Sequence, residues 1–172
     1  MKSRPIRVLP LVAIVLLAVA VGSVRRSQAQ TVDQLYGTWR LVKNARTIVA
    51  TGETTDVFGK APNGFINYGR DGRVTVIGVS EGRLAPADLS KVTDQERAEL
   101  YRTMFAYGGT LTFDGSTVTH QVDISYNQTW TGTDLTGQAK FEGSRLILTT
   151  PPAISNVDGK TTFSVLTWEK VK

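Results

Sequence analysis

The sequence contains no cysteine and only one histidine. Without cysteine the protein has no disulfide framework and no thiol nucleophile, and lipid attachment to a cysteine is excluded. One histidine with no cysteine is too few ligands for a zinc site of the usual kind. We therefore predict no metal and no cofactor, and we expect side-chain packing alone to stabilise the fold.

Recognised catalytic and nucleotide-binding motifs are also missing from the sequence. It has no Gly-x-Ser-x-Gly segment and no Ser/His/Asp order of the kind found in serine hydrolases. Its glycines lie between predicted strands and not ahead of helices, so no phosphate-binding loop is predicted. These absences argue against hydrolases and nucleotide-dependent enzymes.

The excess of basic charge is confined to the N-terminal segment. Of the 20 Lys and Arg residues, five lie in residues 1–29, so the remainder carries 15, equal to the 15 Asp and Glu. Nucleic-acid binding requires a basic patch on the folded domain, and no cluster of Lys and Arg is left there. We therefore exclude a nucleic-acid partner.

Residues 1–29 have the layout of a secretory signal peptide. A positively charged stretch, residues 1–7, is followed by an apolar stretch, residues 8–21. As a helix the apolar stretch would be about 21 Å long, short of the roughly 30 Å hydrocarbon core of a membrane. Small-residue cleavage sites end at Ala20 and Ala29. We predict a periplasmic or secreted protein. The alternative is that the leader is not cleaved and anchors the protein, and it would then be the only contact with the membrane.

Residues 30–172 are predicted to form a single all-β domain. Four acid–glycine pairs separate runs rich in Val, Ile, Thr, Phe and Tyr: Asp71-Gly72, Asp114-Gly115, Glu142-Gly143 and Asp158-Gly159. Such pairs are typical of type I′ hairpin turns, in which both central residues have positive φ. The predicted strands are residues 35–42, 47–51, 64–68, 73–79, 110–113, 117–126, 133–141, 145–149 and 161–171. A meander of this kind protects its edges by closing into an antiparallel up-and-down β-barrel.

One short helix interrupts the predicted strands. Thr93 and Glu96 have the spacing of a capping box, with Thr93 as the N-cap residue and Glu96 at the third helical position. The helix is expected to continue to about Phe105 and to end at Gly108-Gly109. Inserted into a meander, it would serve as a plug in one end of the barrel or as a lid over it.

Residues 37–42, with Trp39 at their centre, resemble the Gly-x-Trp signature of lipocalins. Further segments are similar to the bacterial and fungal lipocalin-like domain family: residues 58–73, 118–122, 130–132, 142–146 and 168–170. The resemblance covers residues 35–170 and implies a lipocalin-like β-barrel. It also implies that Trp39 closes the base of the barrel beneath a basic residue of the last strand. Here that residue is Lys170, where lipocalins more often have arginine.

His120 is predicted to point into the barrel. Strand alternation places it on the same face as Val118, Val122, Ile124 and Tyr126, and this face is the more apolar one. Three roles remain open for it: a hydrogen-bonded core residue, a ligand contact, or a general acid and base.

Gly137 is expected on the inner face of the next strand together with Leu135, Ala139 and Phe141. The resemblance implies that many family members have arginine at this position, so this chain would have lost an inward charge and gained space. A glycine at a β-bulge or a barrel corner is the alternative interpretation.

Aromatic side chains are the other candidates for lining a pocket. Tyr68, Tyr107, Tyr126 and Trp130 would line its mouth, although aromatic residues in β-proteins commonly serve core packing alone. With His120 and Gly137 they complete the predicted ligand site.

From these features we predict an exported barrel that binds a small hydrophobic ligand, and we favour a binding protein over an enzyme. The alternative is an isomerase or cyclase that acts on a small hydrophobic substrate, with His120 as its proton-transferring group. A structural module of the cell envelope without any ligand is the third possibility.

Overall fold

The computed structural model describes residues 30–155 and 158–172, so the predicted signal peptide lies outside the described residues and remains a prediction. The elements in chain order are α1 (Val32–Leu35), β1 (Gly37–Ile48), β2 (Thr54–Asp56), β3 (Asn63–Tyr68), β4 (Arg73–Val79), α2 (Asp94–Arg102), β5 (Met104–Phe113), β6 (Thr117–Ser125), β7 (Asp134–Glu142), β8 (Arg145–Thr149), β9 (Ala153–Ile154) and β10 (Thr161–Lys170). Single 3-10 turns occupy Leu89–Lys91 and Gln128–Trp130. Within the described residues, none of the helices has the length and apolarity needed to span a bilayer.

Eight antiparallel strands close into a barrel, which confirms the predicted fold class. They follow the order β1-β3-β4-β5-β6-β7-β8-β10, and β10 pairs with β1 to complete the circle. The two short strands lie outside this circle, β2 against β1 and β9 against β10. Each barrel strand therefore has a neighbour on both sides, which removes the exposed edges that an open meander would have.

Strand boundaries differ from the prediction at three places. β1 extends to Ile48 and includes the start of the segment predicted as a separate second strand, while β2 begins only at Thr54. β5 begins at Met104, whereas its strand was predicted only from residue 110. β9 lies between the predicted strands 145–149 and 161–171, where no strand was predicted. β2 and β9 each pair along one edge of a longer strand. Because these strands are so short, their sequences contain little hydrophobic periodicity from which to predict them.

The base of the barrel is closed as the resemblance implies. Trp39 of β1 lies opposite Lys170 of β10, and Lys170 Nζ is 4.3 Å from the centroid of the Trp39 ring. Trp39 Nε1 donates a hydrogen bond to the Leu35 carbonyl at 2.7 Å, and Lys170 Nζ donates to the carbonyl of Tyr36. These two hydrogen bonds hold the single turn of helix α1 against the base of the barrel. Trp39 and Lys170 therefore have structural roles.

The core is formed by alternate residues of the barrel strands together with Leu35 of α1. The side chains with almost no exposed surface are Leu35, Leu41, Ile66, Tyr68, Val74, Val76, Val118, Leu146 and Trp168. Burying a large apolar side chain contributes about 1.5–3 kcal/mol to the free energy of unfolding, so this core replaces the missing disulfides.

The acid–glycine pairs are confirmed as turn sites, but not as type I′ turns. Gly72 has a φ of 80°, whereas none of the described non-glycine residues has positive φ, Asp71 included. The aspartate carboxylates act instead as acceptors for the turn backbone. Asp71 Oδ1 accepts from the Arg73 N–H at 3.0 Å, and Asp114 Oδ1 accepts from the Thr117 N–H at 2.6 Å. These aspartates stabilise their turns through their side chains, as in Asx turns, whereas the Glu142 carboxylate pairs with Lys140.

Helix α2 begins with the predicted capping box but ends earlier than predicted. Thr93 and Glu96 each accept from the other's backbone N–H, while the last helical residue is Arg102. Phe105, Gly108 and Gly109 belong to strand β5. None of the nine α2 residues is buried, so the helix does not fill the barrel as a plug.

Candidate functional site

Strand β6 places His120 inside the barrel, as predicted. Val118, His120 and Val122 are buried and alternate with more exposed residues. The pairing with β5 then skips Asp123, since Gly109 pairs with Val122 and Gly108 pairs with Ile124. This bulge reverses the alternation, and Ile124 is 68% exposed on the outer surface. The predicted inner face was therefore wrong for Ile124.

His120 lies between the hydroxyl groups of two tyrosines. The Tyr68 hydroxyl is 3.0 Å from His120 Nε2, and the Tyr107 hydroxyl is 2.9 Å from His120 Nδ1. The three residues come from β3, β5 and β6, and His120 is only 4% exposed. Residues far apart in the sequence thus form one buried hydrogen-bonded triad.

All three members of the triad are uncharged at neutral pH. Burial lowers the pKa of His120 to about 4, because the charged imidazolium loses its hydration. Burial also raises the pKa of both Tyr68 and Tyr107 above the ordinary value. The triad therefore has three polar hydrogens, one on each tyrosine and one on the neutral imidazole.

Two hydrogen bonds within the triad use only two of its three hydrogens. A neutral imidazole donates through one nitrogen and accepts through the other, so one tyrosine donates to it and the other accepts from it. The accepting tyrosine retains a hydroxyl proton that the triad does not use. Within the described residues neither tyrosine hydroxyl has a second hydrogen-bond partner.

Burial decides which tyrosine retains the unused proton. Tyr68 is 1% exposed, and a hydroxyl proton left unpaired there would cost about 1–3 kcal/mol. Tyr107 is only partly buried. The favoured arrangement therefore has Tyr68 donating to Nε2 and Nδ1–H donating to Tyr107. In this arrangement Tyr107 keeps a hydroxyl proton that the triad does not use.

A row of aromatic rings leads from Tyr107 to the surface. The Tyr107 and Trp130 rings are 5.9 Å apart, the Trp130 and Tyr126 rings 5.5 Å, and the Tyr126 and Tyr101 rings 4.8 Å, measured between centroids. Tyr101, on helix α2, is 48% exposed. The row brings together the predicted residues Tyr107, Tyr126 and Trp130.

Tyr101 was not among the predicted site residues. It is an exposed residue of a short helix. Only the position of α2 against the end of β6 brings its ring next to that of Tyr126. The predicted helix was the one available signal, since it placed an aromatic residue in a segment next to the barrel.

Gly137 faces the interior in regular pairing. It lies opposite Val118 without a register shift, so the alternative of a β-bulge is not found at this position. A Cβ atom added to Gly137 would meet the Thr149 carbonyl oxygen at 3.6 Å, which is an ordinary contact. The strand therefore does not require glycine here, and its inner surface has room for a small group.

Of the clefts formed by the described residues, two lie against the barrel, and His120 lines neither of these two. One, of about 290 Å³, lies over Gly137, Thr149 and Pro151. The other, of about 390 Å³, lies at the base beside Trp39 and Lys170. Gly137 therefore borders a different concave surface from the one that the tyrosines approach.

The described residues contain no group of three or more His, Cys, Asp or Glu side chains arranged to hold a metal ion. The chemistry of the triad is that of neutral hydrogen bonding, with one donor available at Tyr107.

Residues 36–171 match a family model described as a lipocalin-like domain. The chain belongs to this family. The match begins one residue before β1 and extends past the end of β10, so it includes every strand of the barrel. No protein among those with curated descriptions matches the sequence. A lipocalin-like domain with a closed barrel fits a protein that binds small molecules.

Proposed function

We propose that this lipocalin-like protein is exported and binds a small, mostly apolar molecule at the inner end of the aromatic row. The observation that supports this proposal is the position of His120 between the Tyr68 and Tyr107 hydroxyl groups, which leaves one hydroxyl proton unused. In an apolar wall, one free donor orients a ligand that carries an acceptor oxygen, such as a ketone or an ether.

The surroundings of the triad favour an uncharged ligand. Leu111 of β5 and Leu135 of β7 lie directly opposite His120 on its two neighbouring strands. The triad is neutral, and a charged ligand group would lose its hydration without gaining an opposite charge there. Gly137 adds space where a larger side chain would narrow the interior.

Export is supported by the basic and apolar stretches of residues 1–29. Intact mass measurement of the protein from its own host tests it. Cleavage predicts a chain that begins after Ala20 or Ala29 in the periplasmic or culture fraction. An uncleaved chain in the membrane fraction would support the anchor alternative.

The ligand proposal is tested by analysis of the protein purified from its own host. We expect native mass spectrometry to show an added mass, and solvent extraction to release a neutral compound. The same preparation of Tyr107→Phe should retain less of it, while Tyr36→Phe, which removes a hydroxyl group elsewhere, should retain as much as the wild type. A bare chain in every preparation would instead support the structural-module interpretation.

An isomerase or cyclase remains the second candidate, because the triad joins a buried histidine to the hydroxyl of Tyr107, a residue that is only partly buried. Both nitrogens of His120 are occupied by tyrosines, so a substrate proton would pass through Tyr107 and not directly to His120. Turnover of an extracted compound by the wild type, lost in both Tyr107→Phe and His120→Gln, would support this candidate over simple binding.

A further inference from the structure

Two buried polar groups on the wall formed by β1 and β10 lack hydrogen-bond partners. They are the side-chain oxygen of Asn44 and the indole N–H of Trp168, and neither finds a partner within residues 30–155 and 158–172. Asn44 is 9% exposed and Trp168 is 1% exposed. Buried polar atoms are nearly always hydrogen-bonded in native proteins, so an unpaired acceptor and an unpaired donor on one wall require an explanation.

Both groups face the interior of the barrel. Residues directly opposite in an antiparallel ladder share a face, and Trp168 lies opposite Leu41, which is fully buried. Asn44 lies opposite Leu166, two residues before Trp168 and therefore on the same face of β10. The pairing of β1 with β10 is shifted between Leu41 and Lys43. Without that bulge, simple alternation would turn Lys43 inward in place of Asn44.

The second interior tryptophan shows that the fold does provide partners for indole groups. Trp39 is 2% exposed, and its Nε1 donates to the Leu35 carbonyl at 2.7 Å. Trp168 is at least as deeply buried, yet no carbonyl of the described residues accepts from it. The contrast indicates that the indole N–H of Trp168 donates to a group that the described residues do not supply.

We propose that Asn44 and Trp168 form a polar subsite that binds an uncharged hydroxyl or primary amide group of the ligand. Trp168 donates to the ligand oxygen, and the ligand O–H or N–H donates to Asn44 Oδ1. This assignment rests on the proposed function, which it refines by naming a second polar group on the ligand.

The charges near the subsite favour an uncharged group. Arg46 is two residues beyond Asn44 on the same strand face, and it forms an ion pair with Asp158 at 2.7 Å. Lys43 lies on the outer face and is exposed. A carboxylate or an ammonium group bound at Asn44 would therefore lie in an apolar interior without a free counter-charge.

The indole N–H signals provide a direct readout. The chain has three tryptophans, so the ¹⁵N-labelled full chain gives three indole signals, and Trp130→Phe identifies one of them. The remaining two are separated by Trp39→Phe. We expect 1-decanol or decanamide to shift the Trp168 indole signal, and decyl methyl ether, which cannot donate, to shift it less.

Affinity measurements separate the subsite from general apolar binding. Asn44→Leu is close in shape and removes an unpaired polar group, so we expect it to fold at least as stably as the wild type. It should bind 1-decanol and decanamide about five- to tenfold more weakly and decyl methyl ether equally well. The control Asn67→Leu changes an exposed asparagine and should leave all three affinities unchanged.

The possible results have distinct meanings. Equal affinity of wild type and Asn44→Leu for the alcohol and the amide, with an unmoved Trp168 signal, would overturn the subsite while leaving the proposed function intact. That result would indicate that a resident water satisfies both groups. Failure of all three probes to bind the wild type would overturn the subsite, whereas the proposed function is tested separately by extraction of a neutral compound from the host-purified protein.

Discussion

The Tyr107 hydroxyl lies 2.9 Å from Nδ1 of His120, deep enough in the barrel that the imidazole is only 4% exposed. Tyr68 occupies the other nitrogen, so one of the two tyrosines accepts from the imidazole and keeps a hydroxyl proton. The more complete burial of Tyr68 favours Tyr107 for that role. A single oriented donor in an apolar wall is the usual composition of a small-molecule pocket, and it is the basis of the proposed ligand site.

His120 is expected to titrate far below a free histidine. Burial lowers its pKa in the folded protein to about 4, against about 6.5 in the unfolded chain. Between these values the unfolded state binds more protons, so the free energy of unfolding falls as the pH decreases from 6.5 to 4, by at most about 1.4 kcal/mol per pH unit. Above pH 6.5 the contribution is constant.

Urea unfolding of wild type and His120→Gln across this range measures the histidine contribution. Carboxylates that titrate in the same range contribute to both pH profiles, so subtracting one profile from the other removes their contribution. The remaining difference in the free energy of unfolding should show the slope expected for His120. An NMR titration that places the pKa of His120 near 6.5 would contradict the buried neutral triad.

Removal of the two triad hydroxyl groups should affect stability unequally. Tyr68→Phe leaves a nitrogen of a buried imidazole without a partner, and we expect the free energy of unfolding to fall by about 1–3 kcal/mol. Tyr107→Phe should cost less, because Tyr107 as a residue is less completely buried than Tyr68. Tyr36→Phe is the control, and thermal unfolding ranks the three variants. The reverse order for Tyr68 and Tyr107 would place the unused proton on Tyr68.

Gly137→Ala should leave stability unchanged or raise it by about 0.4–1 kcal/mol, because the new methyl group makes only ordinary contacts. Gly109 is the matched control on β5. A Cβ atom there would lie 2.1 Å from the Gln121 carbonyl oxygen, so Gly109→Ala should destabilise by about 1–3 kcal/mol or more. Denaturant midpoints of the two variants check the comparison. A strongly destabilised Gly137→Ala would show that the interior has no room at this position.

Lys170→Met should weaken the closure of the barrel base. It removes the cation above the Trp39 ring and the hydrogen bond to the Tyr36 carbonyl, at a cost of about 1–2 kcal/mol. Lys172→Met, an exposed change two residues away, is the control. If calorimetry gives both variants the melting temperature of the wild type, then Lys170 does not hold the base.

The barrel and the inward position of His120 were predictable because they depend on short-range patterns. The acid–glycine turns and the alternation around Val118 and Val122 are both readable within about ten residues. The bulge at Asp123 was not, because it depends on β5 and β6 meeting closely at Gly109 and Gln121. A contact between strands leaves no periodic signal in either strand alone, and so Ile124 was assigned to the wrong face.

The hydrogen-bonded triad required the register of three strands. Tyr68 is 52 residues from His120 in the sequence and Tyr107 is 13 residues from it. Residue types made each a candidate for the ligand site, but only the pairing of β3, β4, β5 and β6 shows that both hydroxyl groups meet the same ring. For the same reason Asn44 went unnoticed, since a bulge in β1 determines its inward position.

The donor at Tyr107 is the central claim, and calorimetric titration with a neutral ketone such as 2-nonanone tests it most directly. We expect the wild type and Tyr36→Phe to bind it equally, and Tyr107→Phe to bind it about five- to tenfold more weakly. Equal binding by Tyr107→Phe and the wild type, or no binding by the wild type, would contradict the assignment of Tyr107 as the group that orients the ligand.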